Sequence, residues 1–542
     1  MYLKLRYPYF GLVTGQLCIL QAPTMASARA KVLQLPELLY SISAHADSRC
    51  LINLMATSKM FFSAAAPHAW ETVSGAAPLF QFLPCRISQK EVSVDTLCYY
   101  GSFTFNTPLS EFDLGRLSIY APYVKHLDLF RFEDNLKLTY GWEVLFDFVN
   151  AGHTLLPNLV TLSLKPPLRY LCPSIQPYPW ILVFCSHTLK SVSIDASLGK
   201  ISPRVGSGLC HLLFGRCPNL AVLEFDLLSE EIESDQDKYL SPRSDQTDHI
   251  PNLLRNGLTL QHLSVSVCFV NKYLLLISQM HNLQSLEVRD KERSPISVQT
   301  KLSLSSFPAL TALVFSEMDL LKVEVFWERM PELFARLTRL KCVLDADQNN
   351  ENRERTLGFP LRFATALKSK GPNITDLEIR FNPGDFYIAT SLLRIDKDTL
   401  QMLAMLPLQR LSVQSIMIGE SEYYNGGETC RLLASTFPDI EILRWIYHSG
   451  VGREDLQAFT DMPKLRHLGL CVNKGQAKAN TGSAYSGDMN RPRTPLRILE
   501  VDIGFDGWLP VVEYYLRGLY AATLAYCSWF IGILLVFGRT YG

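Results

Sequence analysis

Residues 217–225 read CPNLAVLEF, residues 307–315 read FPALTALVF and residues 437–445 read FPDIEILRW. Each is a proline followed by apolar-x-x-apolar-x-apolar. In Leu220-x-x-Leu223-x-Phe225 the last two apolar side chains are two apart, the period of a β-strand. The first lies three residues earlier, in the turn that leads into the strand. Proline before that turn stops a preceding helix and holds the chain extended. One such strand cannot bury its apolar side alone, so the pattern should recur.

It does recur. Thirteen copies begin at Val124, Leu159, Leu189, Leu220, Leu260, Leu283, Leu310, Leu337, Ile374, Leu408, Ile440, Leu465 and Leu496, with a mean step of 31 residues and single steps of 23 to 40. Proline precedes five of them, at Pro157, Pro218, Pro308, Pro438 and Pro463. Helical spacing fills gaps between copies, as in 208–214 and 323–330. The expected fold is α/β: a leucine-rich-repeat solenoid over 124–510, with a parallel sheet on its concave side and helices and loops on its convex side. An Asn or Cys is expected three residues after the third apolar position, to cap the turn. Only Cys268, Asn382 and Asn473 satisfy this. Polar stretches at 229–250, 345–356 and 474–495 are expected to be surface loops.

A chain of 542 residues with 48% hydrophobic content exceeds what one compact core accommodates, which agrees with a quasi-linear array. Lys+Arg and Asp+Glu are both 52, so no net field favours nucleic acid. The 13 cysteines lack CxxC pairs and sit beside apolar runs, as free buried thiols would in the cytosol or nucleus.

Upstream, residues 30–75 form a separate helical segment. Leu35-Pro36-Glu37-Leu38-Leu39 with Ile42 is a helix start with proline in its first turn. Cys50, Leu51, Leu54 and Met55 make a second apolar face, and Phe61, Phe62 and Ala65 lead to Trp70. Three short helices in so few residues bury too little to stand alone. This segment resembles the F-box family, especially the F-box-like proteins of filamentous and mushroom-forming fungi. The matching residues are Leu35-Pro36-Glu37-Leu38-Leu39, Ile42, Leu51, Leu54, Ser58-Lys59, Phe62 and Trp70. The family's LPxEL opening reads LPELL here, and its Cys-Arg pair reads Ser58-Lys59. The resemblance implies docking on a Skp-type adaptor, and through it a cullin, by Leu35, Pro36, Leu39, Ile42, Leu51, Leu54 and Trp70. It also implies that the repeats hold a protein substrate for ubiquitin transfer. The alternative is a helical cap on the open end of the solenoid.

Polar residues between the buried anchors should face the concave side. Among them Glu224, Asp226, Glu287, Arg289, Glu378, Arg380 and Arg444 are the candidate partner-binding charges. No phosphate-binding loop, nucleophile elbow, HExxH or zinc spacing occurs. His126, His262 and His467 each precede a repeat's second anchor, where capping or packing is expected. The reading is therefore an adaptor and not an enzyme, with no cofactor, no metal and no nucleic-acid partner. The second reading is a leucine-rich scaffold without a ligase.

Residues 1–24 are expected to be an unstructured extension, with Met25 an alternative start. Residues 76–123 are expected to be a linker or N-terminal cap. Residues 518–538 are uncharged and long enough to cross a bilayer as a helix. A membrane tether and an apolar cap are the two readings of that run.

Overall fold

The computed structural model describes residues 35–83, 85–90, 100–105, 114–129, 135–140, 142–164, 177–194, 203–225, 259–290, 306–345, 353–382, 394–414, 417–418, 426–446, 454–459, 462–471 and 496–502. The expectations for 1–24, 229–250, 474–495, 518–538 and Asp226 lie outside these residues.

Fourteen strands form one parallel sheet in strict chain order. They are β1 (Thr72–Ser74), β2 (His126–Asp128), β3 (Thr161–Leu164), β4 (Ser191–Ile194), β5 (Val222–Glu224), β6 (His262–Ser266) and β7 (Ser285–Arg289), followed by β8 (Ala312–Asp319), β9 (Arg339–Asp345), β10 (Asp376–Asn382), β11 (Arg410–Gln414), β12 (Ile442–Ile446), β13 (His467–Cys471) and β14 (Ile498–Asp502). Each of the thirteen copies supplies one strand. Their second anchors fall in one register: Leu127 pairs with Leu162, Leu162 with Val192, and so on to Leu468 with Leu499. A one-residue slip would turn every anchor to solvent, so burial fixes the register.

The fourteenth strand, β1, was not expected. It pairs with β2 through Val73 and Leu127, so the sheet begins before the stretch read as linker. That stretch also carries strands. Cys85–Lys90 pairs antiparallel with Tyr100–Phe105, which pairs parallel with Asn135–Tyr140 in a separate sheet. The expected loop over 345–356 is shorter than proposed, because the helix Arg353–Lys370 takes its last residues.

The anchors build the core. Through Leu465 every first anchor is at most 8% exposed, and every described second anchor through Leu468 at most 2%. Helices cover the same face from the other side. Trp180 and Phe184 enter from Pro177–Phe184, Leu209 and Leu213 from Pro203–Arg216, and Phe326 and Trp327 from Leu320–Arg329. Phe363 of Arg353–Lys370 packs at a tilt, 5.0 Å from Trp327. One continuous buried cluster runs from Val73 to Leu470.

Two hydrogen-bond ladders lock successive repeats. At each of the thirteen steps one carbonyl accepts two backbone N–H groups of the next repeat at 2.8–3.1 Å, as Lys190 O does from Ala221 and Val222. The second ladder uses the residue just before the first anchor. Asn158, Asn219 and Asn373 donate from Nδ2 to the carbonyls of Pro122, His187 and Ala335 at 2.8–3.0 Å. Thr188 and Thr259 donate likewise to Pro157 and Pro218. Capping expected after the strand is thus supplied before it.

Buried cysteines fill the core as small apolar side chains. Cys185, Cys210, Cys217, Cys342 and Cys430 are buried and take part in no disulfide, and burial pushes Cys210 up to about 12.

Candidate protein-interaction surfaces

The N-terminal segment folds as α1 (Pro36–Ala44), α2 (Ser48–Thr57) and α3 (Lys59–Trp70). Pro36 opens α1, where its missing N–H costs nothing. Asp47 caps α2 by accepting from Cys50 N at 2.7 Å, and Ser58 caps α3 by accepting from Phe61 N at 3.3 Å. Leu39, Leu51 and Ala64–Ala66 are buried, the alanines letting the helices approach closely.

The seven docking candidates separate by burial. Leu39 and Leu51 hold the three helices together. Leu54 and Trp70 are half-buried, whereas Leu35, Pro36 and Ile42 are exposed. Trp70 packs on Phe82 at 5.6 Å and Tyr120 at 4.7 Å, and Phe62 also meets Tyr120. Lys125 Nζ bridges to Glu71 at 3.1 Å. These contacts fasten α3 to the first turns of the solenoid.

Exposed apolar area on this segment extends beyond the candidates. Leu35 is 52% exposed, Tyr40 52%, Ile42 44%, Ile52 54% and Met60 36%. Tyr40, Ile52 and Met60 were missed. Their only sequence signal is an apolar residue off the helix face that carries the buried ones, as Ile52 stands beside Leu51.

On the sheet, residues between second and third anchors form one row on the face away from the anchors: Ser193, Glu224, Ser264, Glu287, Val314, Lys341, Glu378, Ser412, Arg444, Gly469 and Glu500 lie on successive strands, with Ser193 and Ser264 buried beneath their neighbours. Most candidate charges in it are paired within the sheet. Glu224 accepts from Ser193 and lies 3.9 Å from His262. Glu287 accepts from Ser264 at 2.8 Å and Ser316 at 2.6 Å, and Arg289 donates to Ser264 at 2.8 Å. Lys341 pairs with Glu378 at 3.0 Å. Arg380 is exposed, with no ion pair among the described residues.

The far end carries a clamp over three strands. Arg444 passes over Gly469 and donates to Glu500 at 2.7 Å, while His467 Nε2 meets the other oxygen of Glu500 at 3.1 Å. His262 and His467 thus lie against carboxylates on this face of the sheet, their side chains 27% and 21% exposed. Burial pushes the Glu500 carboxyl up, but the hydrogen bond and charge of Arg444, then those of His467, outweigh it and hold it below the usual range. In Glu287 burial acts in the same sense. It is outweighed by the hydrogen bonds from Ser316 and Ser264 and the charges of Arg289 and His262.

Among the described residues no group of three His, Cys, Asp or Glu is placed to hold a metal. Among the same residues no helix is long and apolar enough to cross a membrane.

No family model matches the chain, and no curated protein does. Among solved structures, a chain of the Rad7 and Elc1 complex in yeast is similar, with 12% identity and a TM-score of 0.34 over 89% of this chain and 94% of that one.

Proposed function

We propose that this chain is a non-enzymatic substrate-recognition adaptor of a cullin-type ubiquitin ligase. Helices α1–α3 dock a Skp-type adaptor protein and through it a cullin. The solenoid holds a protein substrate on the solvent face of its sheet. The observation that carries this reading is that five large apolar side chains stay exposed on a segment of three short helices whose own core is already filled by Leu39, Leu51 and alanines. Exposed apolar clusters on a soluble domain mark interaction sites. Burying an isoleucine fully contributes about 1.5–3 kcal/mol. Ile42 and Ile52 are about half exposed, so each would recover roughly half of that on docking. The LPELL opening and the aromatic anchoring of α3 support the same reading. The first matches the family's docking helix, and the second fixes a docked adaptor relative to the sheet. Buried cysteines outside any disulfide suit the cytosol or nucleus.

The test is co-purification of a Skp-type adaptor with the full chain and with an Ile42→Asp, Ile52→Asp variant. Adaptor yield should fall at least about tenfold, the loss expected for 1.4 kcal/mol, with thermal unfolding unchanged. An adaptor that is never captured, or captured equally by both proteins, refutes the proposal.

A second reading, a leucine-rich scaffold without a ligase, is favoured by the Trp70, Phe82 and Tyr120 cluster, which also lets α3 serve as a cap. It expects no adaptor in either preparation.

A further inference from the structure

On the solvent face, where strands β9, β10 and β11 begin, Arg339, Asp376 and Arg410 stand side by side in register. They line an open depression with Thr338, Thr375 and Gln409. Asp376 Oδ2 lies 3.5 Å from Arg339 Nε and 3.9 Å from Arg410 Nη1. Both separations exceed a good charge-assisted hydrogen bond, which is about 2.7–2.9 Å. The side chains of Arg339 and Arg410 are 57% and 59% exposed, against 24% for Asp376. Two guanidiniums therefore flank one half-buried carboxylate, and among the described residues neither donates a hydrogen bond to it. Elsewhere on the same face most charges are tied down, as Lys341 is to Glu378 and Arg444 to Glu500, with Arg380 the exception.

The positive lip continues along the sheet. Arg466 and Arg497 occupy the turns leading into β13 and β14, both exposed, with Glu441 3.6 Å from Arg466. From β9 to β14 is five strand spacings, roughly 24 Å at about 4.8 Å each. That matches an extended peptide of about seven residues.

We propose that this lip is a seat for a carboxylate-rich peptide segment of the bound protein, anchored by Arg339 and Arg410. The inference rests on the solenoid being the substrate-holding part and names the chemistry it selects. A ligand carboxylate enters between the guanidiniums and takes the bidentate bonds that Asp376 does not make, as the fork of each arginine favours. A glutamate side chain suits the gap better than a phosphate does. Asp376 stays in place beside it, and a dianion there meets twice the repulsion of a single carboxylate. Asp376 thus acts as an internal competitor, partly neutralising the two arginines until a ligand arrives.

The test is fluorescence anisotropy of a labelled octaglutamate peptide on the full chain at 50 and 300 mM NaCl. Octalysine and a peptide of alternating phosphoserine and glycine are the comparison probes. Octaglutamate should bind and octalysine should not, with affinity falling as salt rises. Arg339→Gln with Arg410→Gln should weaken octaglutamate binding at least about tenfold. Lys368→Gln with Lys397→Gln, on the helices away from this lip, removes the same charge and should change it less than about threefold. Asp376→Asn should strengthen binding about two- to fivefold. Absence of octaglutamate binding, equal losses in the two double variants, weaker binding in Asp376→Asn, or binding of the phosphoserine peptide alone would overturn the proposal. The assay contains no Skp-type adaptor, so its failure is distinct from a failure of α1–α3 to dock one.

Discussion

A methyl group at position 469 should loosen the far end of the solenoid, and only when Arg444 is present. A Cβ there would stand 3.0 Å from Arg444 Cγ, with that residue's Cβ and Cα at 3.4 and 3.5 Å. The last two are ordinary contacts, so only the side chain beyond Cβ must give way. Arg444 lies over Gly469 because the register places that glycine between it and Glu500. Shifting Cγ misaligns the guanidinium from the Glu500 carboxylate it meets at 2.7 Å. A hydrogen bond to a charged group contributes about 1.5–3 kcal/mol net. With Arg444 31% exposed and Glu500 12%, the lower half of that range applies. Against this, alanine is better than glycine within a strand by roughly 0.5–1 kcal/mol. Gly469→Ala alone should therefore destabilise by about 0.5–1.75 kcal/mol. In an Arg444→Ala background the same change should stabilise by roughly 0.5–1 kcal/mol. The coupling is then about 1.5–2.25 kcal/mol in a double-mutant cycle followed by urea unfolding. Additivity within about 0.5 kcal/mol would show that Arg444 does not depend on the gap at Gly469.

Other perturbations test the ladder, the carboxylates and the anchoring of α3. Asn219→Ala removes the Nδ2 bond to His187 O and should cost about 0.5–1.5 kcal/mol in urea unfolding; a neutral result would deny the ladder a role. The Glu287 carboxyl is held below its ordinary range on folding, so its contribution is present above the unfolded value of about 4.3 and is lost as pH falls through the folded one. Glu287→Gln should therefore lower stability at neutral pH and flatten its decline below about pH 4, as read by chemical unfolding at stepped pH. Trp70→Ala should speed hydrogen exchange in α1–α3 while leaving β6–β12 protected, because Trp70 packs on Phe82 and Tyr120 and not on those strands; uniform loss of protection would contradict this.

The solenoid was legible because anchor spacing alone specifies it. Leu220, Leu223 and Phe225 bury one side of a strand, and eleven of the twelve other copies, all but the last, are buried in the same single register. β1 escaped because its third anchor is Gly75, at φ +85°, whose N–H bonds to Asp128 O at 2.6 Å. Its first anchor, Trp70, is also the last residue of α3 and reads with the helices. The capping ladder escaped because it was sought after the third anchor, whereas Asn219 and Thr188 act one residue before the first. On α1–α3 the helices were readable, but burial was not. Leu39 and Ile42 look alike in sequence, and only packing against α3 separates the buried one from the exposed one. Charge pairing on the sheet is invisible in sequence, because Arg444 and Glu500 are 56 residues apart and meet only through the register.

Disulfide trapping across the sheet tests the stacking most directly. Registered Cα atoms on neighbouring strands lie about 4.8 Å apart, within disulfide reach. Ser163 faces Ser193, and Glu378 faces Ser412, on the solvent side. Cysteine pairs at 163 with 193 and at 378 with 412 should cross-link under mild oxidation and be recovered as those linked peptides, while 163 with 412 should not. Failure of both registered pairs, or linkage of 163 to 412, would mean that the repeats do not lie side by side in one parallel sheet.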